Sequence, residues 1–142
     1  LGPRYPMART EIVKMDERGR VLIPIFARDA LSIGPDTSLL LLVDQEQKNV
    51  VLTPITEKAR LATIKVVLPD VPGALAKAAQ FMAARGVDII MSESRTLSRG
   101  KTAEWNVVAD LSQAKATPRK IAEQIVRRGF ATNASARDIK EI

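Results

Sequence analysis

The chain has 142 residues, of which 46% are apolar and 27% charged, a balance that suits one or two small globular domains. It holds neither cysteine nor histidine, which excludes disulfides, thiolate metal sites and imidazole-based acid–base chemistry. The net charge of +6 favours a polyanionic partner, but it is unevenly placed: residues 1–58 hold eight basic and eight acidic side chains, residues 59–142 fourteen and eight.

In chain order, Leu1–Pro6 stand ahead of Met7 and are set aside as an expression remnant or a disordered arm. The segment after Met7 is charged and has no apolar signal-peptide core, so a cytoplasmic location is expected. The longest aliphatic run, Leu39–Val43, is far shorter than the ~20 residues needed to cross a bilayer, so no membrane partner is expected.

From Glu11 to Ile55 the pattern is β-rich. Glu11–Met15 and Val21–Ile25 read as short strands on either side of the turn Asp16-Glu17-Arg18-Gly19. Pro24 confines the second to an edge or a strand end. Phe26–Leu31 reads as one helical turn, Ser32–Asp36 as a loop, and Ser38–Val43 with Val50–Thr53 as a hairpin. Short strands with runs that are apolar on both faces cannot bury themselves in a segment of this size. An obligate dimer sharing strands would cover them.

A short link, about Pro54–Arg60, leads to a different pattern. Leu61–Leu68 is a strand with Ile64, Val66 and Leu68 on one face. Asp70-Val71-Pro72-Gly73 opens a helix in which Asp70 is placed to cap and Pro72 to occupy the first turn. Leu75, Ala78, Ala79 and Met82 form its apolar stripe, and Gly86 ends it. Val87–Leu97 and Lys101–Leu111 are strands joined at Ser98-Arg99-Gly100, with Trp105 in the second as core or interface packing. Thr117-Pro118 begins a second helix with Ile121, Ile125 and Val126 inward, and Phe130–Ile139 supplies a fourth strand. The order β-α-β-β-α-β is a ferredoxin-like split unit, so the fold class is α+β.

Two resemblances attach to these residues. Met15-Asp16-Glu17-Arg18-Gly19-Arg20-Val21-Leu22-Ile23-Pro24-Ile25, followed by Arg28, Ala30-Leu31 and Ile33, resembles the AbrB/SpoVT swapped-hairpin DNA-binding family, and the hairpin after it resembles that family's second one. Ser32 stands where glycine is usual, and Asp29 where some members carry arginine. Asp70-Val71-Pro72-Gly73-Ala74-Leu75 and Arg85-Gly86-Val87-Asp88-Ile89 resemble the opening and the helix exit of an ACT domain, with Asp88 in place of the usual asparagine. The implied domains are 8–57, an intertwined β-dimer, and 60–142, a ligand-sensing or oligomerising module.

The first resemblance implies double-stranded DNA as partner, held by Arg20 and Arg28 with Arg18 and Lys14 as helpers. Guanidinium forks suit phosphates and guanine edges, and a two-fold dimer doubles the patch. The second implies a small-molecule effector, an amino acid among the candidates, at Asp70, Val71, Gly73, Ala74 and Asp88: freed amides receive a carboxylate and the two aspartates an ammonium group. Each set also has a plainer reading, as solvated arginines balanced by Asp16, Glu17 and Asp29, and as a capped helix start and exit. Arg119-Lys120 and Arg127-Arg128 read as the solvated face of the second helix.

With no nucleophile–base pair, metal-ligand cluster or phosphate loop in the sequence, no catalysis, metal or cofactor is expected. The expectation is a homodimeric or larger transcription regulator modulated by a metabolite. The alternatives are an antitoxin or the regulatory subunit of a metabolic enzyme.

Overall fold

The computed structural model describes residues 10–142, which divide into two compact units, with the boundary between Ile55 and Thr56. Leu1–Pro6 and the first two residues of the 8–57 span lie outside the described residues.

In the first unit, helix α1 (Ile25–Leu31) is followed by strands β1 (Leu39–Asp44) and β2 (Asn49–Pro54), an antiparallel pair in register from Leu39↔Pro54 to Asp44↔Asn49. Asp44 closes the turn, its Oδ1 accepting the N–H groups of Glu46 and Gln47 at 3.1 Å. The two strands expected over Glu11–Met15 and Val21–Ile25 are not formed: among the described residues neither stretch belongs to a strand, and Ile25 already opens α1. The turn between them is fixed by the Asp16 N–H to Arg20 carbonyl bond (2.9 Å) and the Gly19 N–H to Asp16 carbonyl bond (3.0 Å). Ser32 ends α1 at φ 54°, the left-handed region that glycine occupies without strain.

The second unit is a four-stranded antiparallel sheet in the order β4-β5-β3-β6, built from β3 (Leu61–Pro69), α2 (Ala74–Ala84), β4 (Asp88–Ser98), β5 (Thr102–Asp110), α3 (Pro118–Arg127) and β6 (Asn133–Asp138). This is the split βαβ order that the alternation of periods predicts. Period two governs β3: Ala62, Ile64, Val66 and Leu68 are buried while Thr63 and Lys65 are exposed. Their register partners Ala109, Val107, Trp105 and Ala103 share that face. The helices cover it with Ala78, Phe81 and Met82 from α2 and Ile121, Ala122 and Ile125 from α3.

Three sequence expectations change. The α2 stripe is centred on Ala78, Phe81 and Met82, while Leu75 is 40% exposed because it stands at the end of the sheet over a cleft. Val126 faces outward, one helical step beyond the Ile121–Ala122–Ile125 stripe. Asp70 does not cap α2. Gly73 holds the N-cap position at φ +86° with no side-chain cap, and Val71-Pro72 form the turn ahead of it. Thr117 does cap α3, its hydroxyl accepting the Lys120 N–H at 3.2 Å, with Pro118 at the first position.

Gly86 is required on two counts. Its φ is +78°, and a β-carbon there would lie 2.6 Å from the Gln113 carbonyl oxygen.

The face away from the helices is polar. Glu104 is nearly buried on it, receiving the Asn106 Nδ2 at 2.9 Å with Arg95 Nη2 at 3.6 Å. The Asn106 hydrogen bond, helped by Lys65 and Arg95, holds this carboxyl below its usual range against the opposing effect of burial. At the opposite end of the sheet, burial works to raise the Asp110 carboxyl. The Arg60 and Ser112 N–H groups it accepts, at 3.0 and 2.9 Å, outweigh that effect and lower it.

Candidate functional site

The four basic residues assigned to DNA are all exposed. Arg18 and Arg20 belong to the turn that Asp16 organises. Asp16 Oδ1 accepts the backbone N–H groups of both at 2.9 Å, and its Oδ2 accepts the Arg20 Nε at 2.8 Å. The Arg20 backbone bond is the leading cause of a lowered Asp16 carboxyl, followed by the Arg20 side chain and the Arg18 N–H. Arg20 is therefore partly balanced by Asp16, as its plainer reading holds. A guanidinium carries five donors, however, and the Nε is the one used by this pair. The ion pair thus fixes the direction of the fork without consuming its terminal nitrogens. Lys14 stands on the irregular segment before the turn and Arg28 on the last turn of α1. Neither takes part in an ion pair among the described residues.

Around this turn the first unit exposes large apolar side chains. Leu22 is 75% and Ile25 65% exposed, and Ile12 is fully so. On the hairpin, Leu41, Val43, Val50 and Leu52 share one face by register and all are exposed.

In the second unit a cleft of about 240 Å³ opens between the start of α2 and the C-terminal half of β4. Of the predicted ligand residues, Asp70 and Val71 line it, together with Leu68, Leu75, Ser94, Arg95, Thr96 and Glu104. Asp70 ties the β4–β5 turn to the end of β3. Its Oδ2 accepts the Gly100 N–H at 2.7 Å, and its own N–H donates to the Lys101 carbonyl at 3.1 Å. Gly73 and Ala74 follow at the helix start, where a β-carbon on Gly73 would meet open space.

Asp88 does not join them. It begins β4 opposite Asp110, at the far end of α2, whose eleven residues rise about 16 Å. One ammonium group cannot touch Asp70 and Asp88 of the same chain.

The residues that sequence reasoning missed are Ser94, Arg95 and Thr96. The signal was available: if Ser98-Arg99-Gly100 turns at the end where Asp70 stands, the last residues of β4 must flank Asp70.

The second unit is thus a ferredoxin-like module with a ligand-sized cleft at one end of its sheet. Residues 62–125 match the family model of the ACT domain, so the module contains an ACT domain. The match lies wholly within the second unit.

No curated protein matches the sequence. Solved structures similar to the chain include the C-terminal domain of the MgtC protein from Mycobacterium tuberculosis, at 7% identity and TM-score 0.46, covering 61% of this chain and 95% of that one. An unknown protein from Galdieria sulphuraria matches at 12% identity and TM-score 0.44, covering 65% of this chain and 58% of that one. Prephenate dehydratase from Streptococcus mutans matches at 19% identity and TM-score 0.40, covering 89% of this chain and 70% of that one. Among the described residues no helix is long and apolar enough to cross a membrane.

Proposed function

We propose that the protein is a dimeric DNA-binding regulator whose second unit senses a small molecule, with amino acids as the ligand class. One observation carries the DNA-binding part. On either side of a turn that presents Arg18 and Arg20, the sequence alternates as strands do, yet among the described residues no strand forms there. A second copy supplies the missing strands, covers Ile12, Leu22 and the hairpin face, and brings two arginine turns together. The left-handed conformation of Ser32 adds support, because glycine is usual at that position in the swapped-hairpin family that the segment resembles.

The ACT domain suggests regulation by a small molecule such as an amino acid. Asp70 and Asp88 become one site if two copies pair through the free edge of β4. Antiparallel two-fold pairing centred on Glu93 sets Asp88 of one protomer opposite Ser98 of its partner, beside the turn that Asp70 holds. A ligand bridging the two would favour one arrangement of the pair, and the short link at 54–60 passes that preference to the first unit.

The test is a gel-shift titration of the full chain against genomic fragments at fixed salt, with Arg20→Ala and Arg28→Ala beside the wild type. Each substitution lowers affinity by roughly ten- to a hundredfold in a folded protein. Unchanged affinity contradicts the assignment. Failure of the wild type to bind any fragment favours a regulatory subunit that uses the sensor alone.

A further inference from the structure

The chain's positive charge has a definite place in the fold. Helix α2 with its C-cap contributes Lys77 and Arg85 and no acidic residue; α3 with its C-cap contributes Arg119, Lys120, Arg127 and Arg128 against Glu123 alone. The helix layer therefore holds six cations and one anion, a net of +5 out of the chain's +6. The opposite face of the sheet is nearly balanced, with Lys65, Arg95 and Arg137 set against Glu93 and Glu104.

None of the six cations takes part in an ion pair among the described residues. Burial of Ile121, Ala122 and Ile125 turns Lys120 and Arg127 to the opposite, outer side of α3. Arg85 is held in the layer by its Nε bond to Gln124 of α3 (2.9 Å) and by stacking 3.8 Å over the Phe81 ring. Concentrating like charge in this way costs self-repulsion, and solvation of an amphipathic helix does not require it on both helices at once.

We infer that the outer surface of α2 and α3 is a second, sequence-independent contact for the phosphate backbone of duplex DNA. This rests on the DNA-binding reading above and extends it to the sensor domain. Lys120 and Arg127 are seven positions apart and lie almost in line along α3, about 10.5 Å along the axis. That spacing is close to the ~12 Å width of a major groove, so the pair can reach phosphates on both of its sides. A lipid surface fits less well, because the outer face of α3 offers only Val126 as an exposed large apolar group and no aromatic to insert. Pairing through β4 keeps the helices of both protomers on one side of a continuous sheet and doubles the basic surface.

The experiment titrates the full chain, wild type and Lys120→Gln/Arg127→Gln, with a mixed-sequence duplex between about 50 and 200 mM salt. Circular dichroism first checks that the variant is folded. Each cation that meets a phosphate adds about 0.9 to the slope of log affinity on log salt, so removing two from each chain of a dimer lowers the slope by about 3.6. An unchanged slope with binding intact overturns this inference and leaves the arginine turn of the first unit in place. Absence of all duplex binding by the wild type overturns both. Capture by phosphatidylserine vesicles without duplex binding assigns the layer to a membrane and likewise overturns the inference.

Discussion

The run Leu39–Val43 in the first unit is more apolar than any stretch of β3 in the second, yet only Leu40 is buried in it, against Ala62, Ile64, Val66 and Leu68 in β3. The difference is not in the strands but in what lies over them. β3 is one of the two inner strands of a sheet and carries a helix layer, so alternate residues find cover. Among the described residues of its unit, the hairpin β1–β2 pairs with no further strand and has no second layer of comparable size. Burying a Leu, Ile or Val is worth about 1.5–3 kcal/mol. Several such side chains left exposed around one arginine turn are a large incentive for a second copy to dock. The second unit covers its own apolar strands; the first, on the reading proposed above, needs a second copy to do so.

That contrast can be broken or sharpened by substitution. The largest effect belongs to Trp105→Ala. Trp105 is 3% exposed on the helix face beside Val66, and its removal should destabilise the second unit by about 3–5 kcal/mol. Thermal unfolding followed by far-ultraviolet circular dichroism reads it, and a shift under about 1 kcal/mol would mean that the core is not packed as described. A smaller effect is expected from Thr117→Ala, which removes the hydroxyl that accepts the Lys120 N–H and should cost about 1 kcal/mol. Chemical denaturation detects it as a lower midpoint with unchanged slope. Both changes fall in the second unit and should leave the association of the first unit intact.

Much of the second unit was legible from residues alone. The switch from period two in Leu61–Leu68 to the stripes around Ala78 and Ile121 gave the element order, and Thr117-Pro118 marked the start of α3. Leu75 and Val126 were misplaced because both are apolar at plausible helical spacing, and only the position of the helix over the sheet decides which side is covered. Asp70 was misread as a cap because sequence spacing cannot show that Gly100, thirty residues on, is the donor it meets. The separation of Asp70 from Asp88 was equally hidden, since both flank one helix in sequence but stand at its two ends. The first unit resisted for another reason. Its alternating pattern over 11–25 reads as strands, yet among the described residues no strand forms there and Ile25 opens a helix.

The pairing of the first unit is therefore the claim to test most directly, by sedimentation equilibrium of the full chain beside Leu22→Asp. The wild type should sediment at a multiple of its 15.5 kDa chain mass, and the variant, which keeps any pairing through β4 but carries a carboxylate on the exposed apolar segment, should begin to dissociate at a protein concentration about tenfold higher or more. A wild-type mass of 15.5 kDa, or a variant that dissociates at the same concentration as the wild type, would contradict the account.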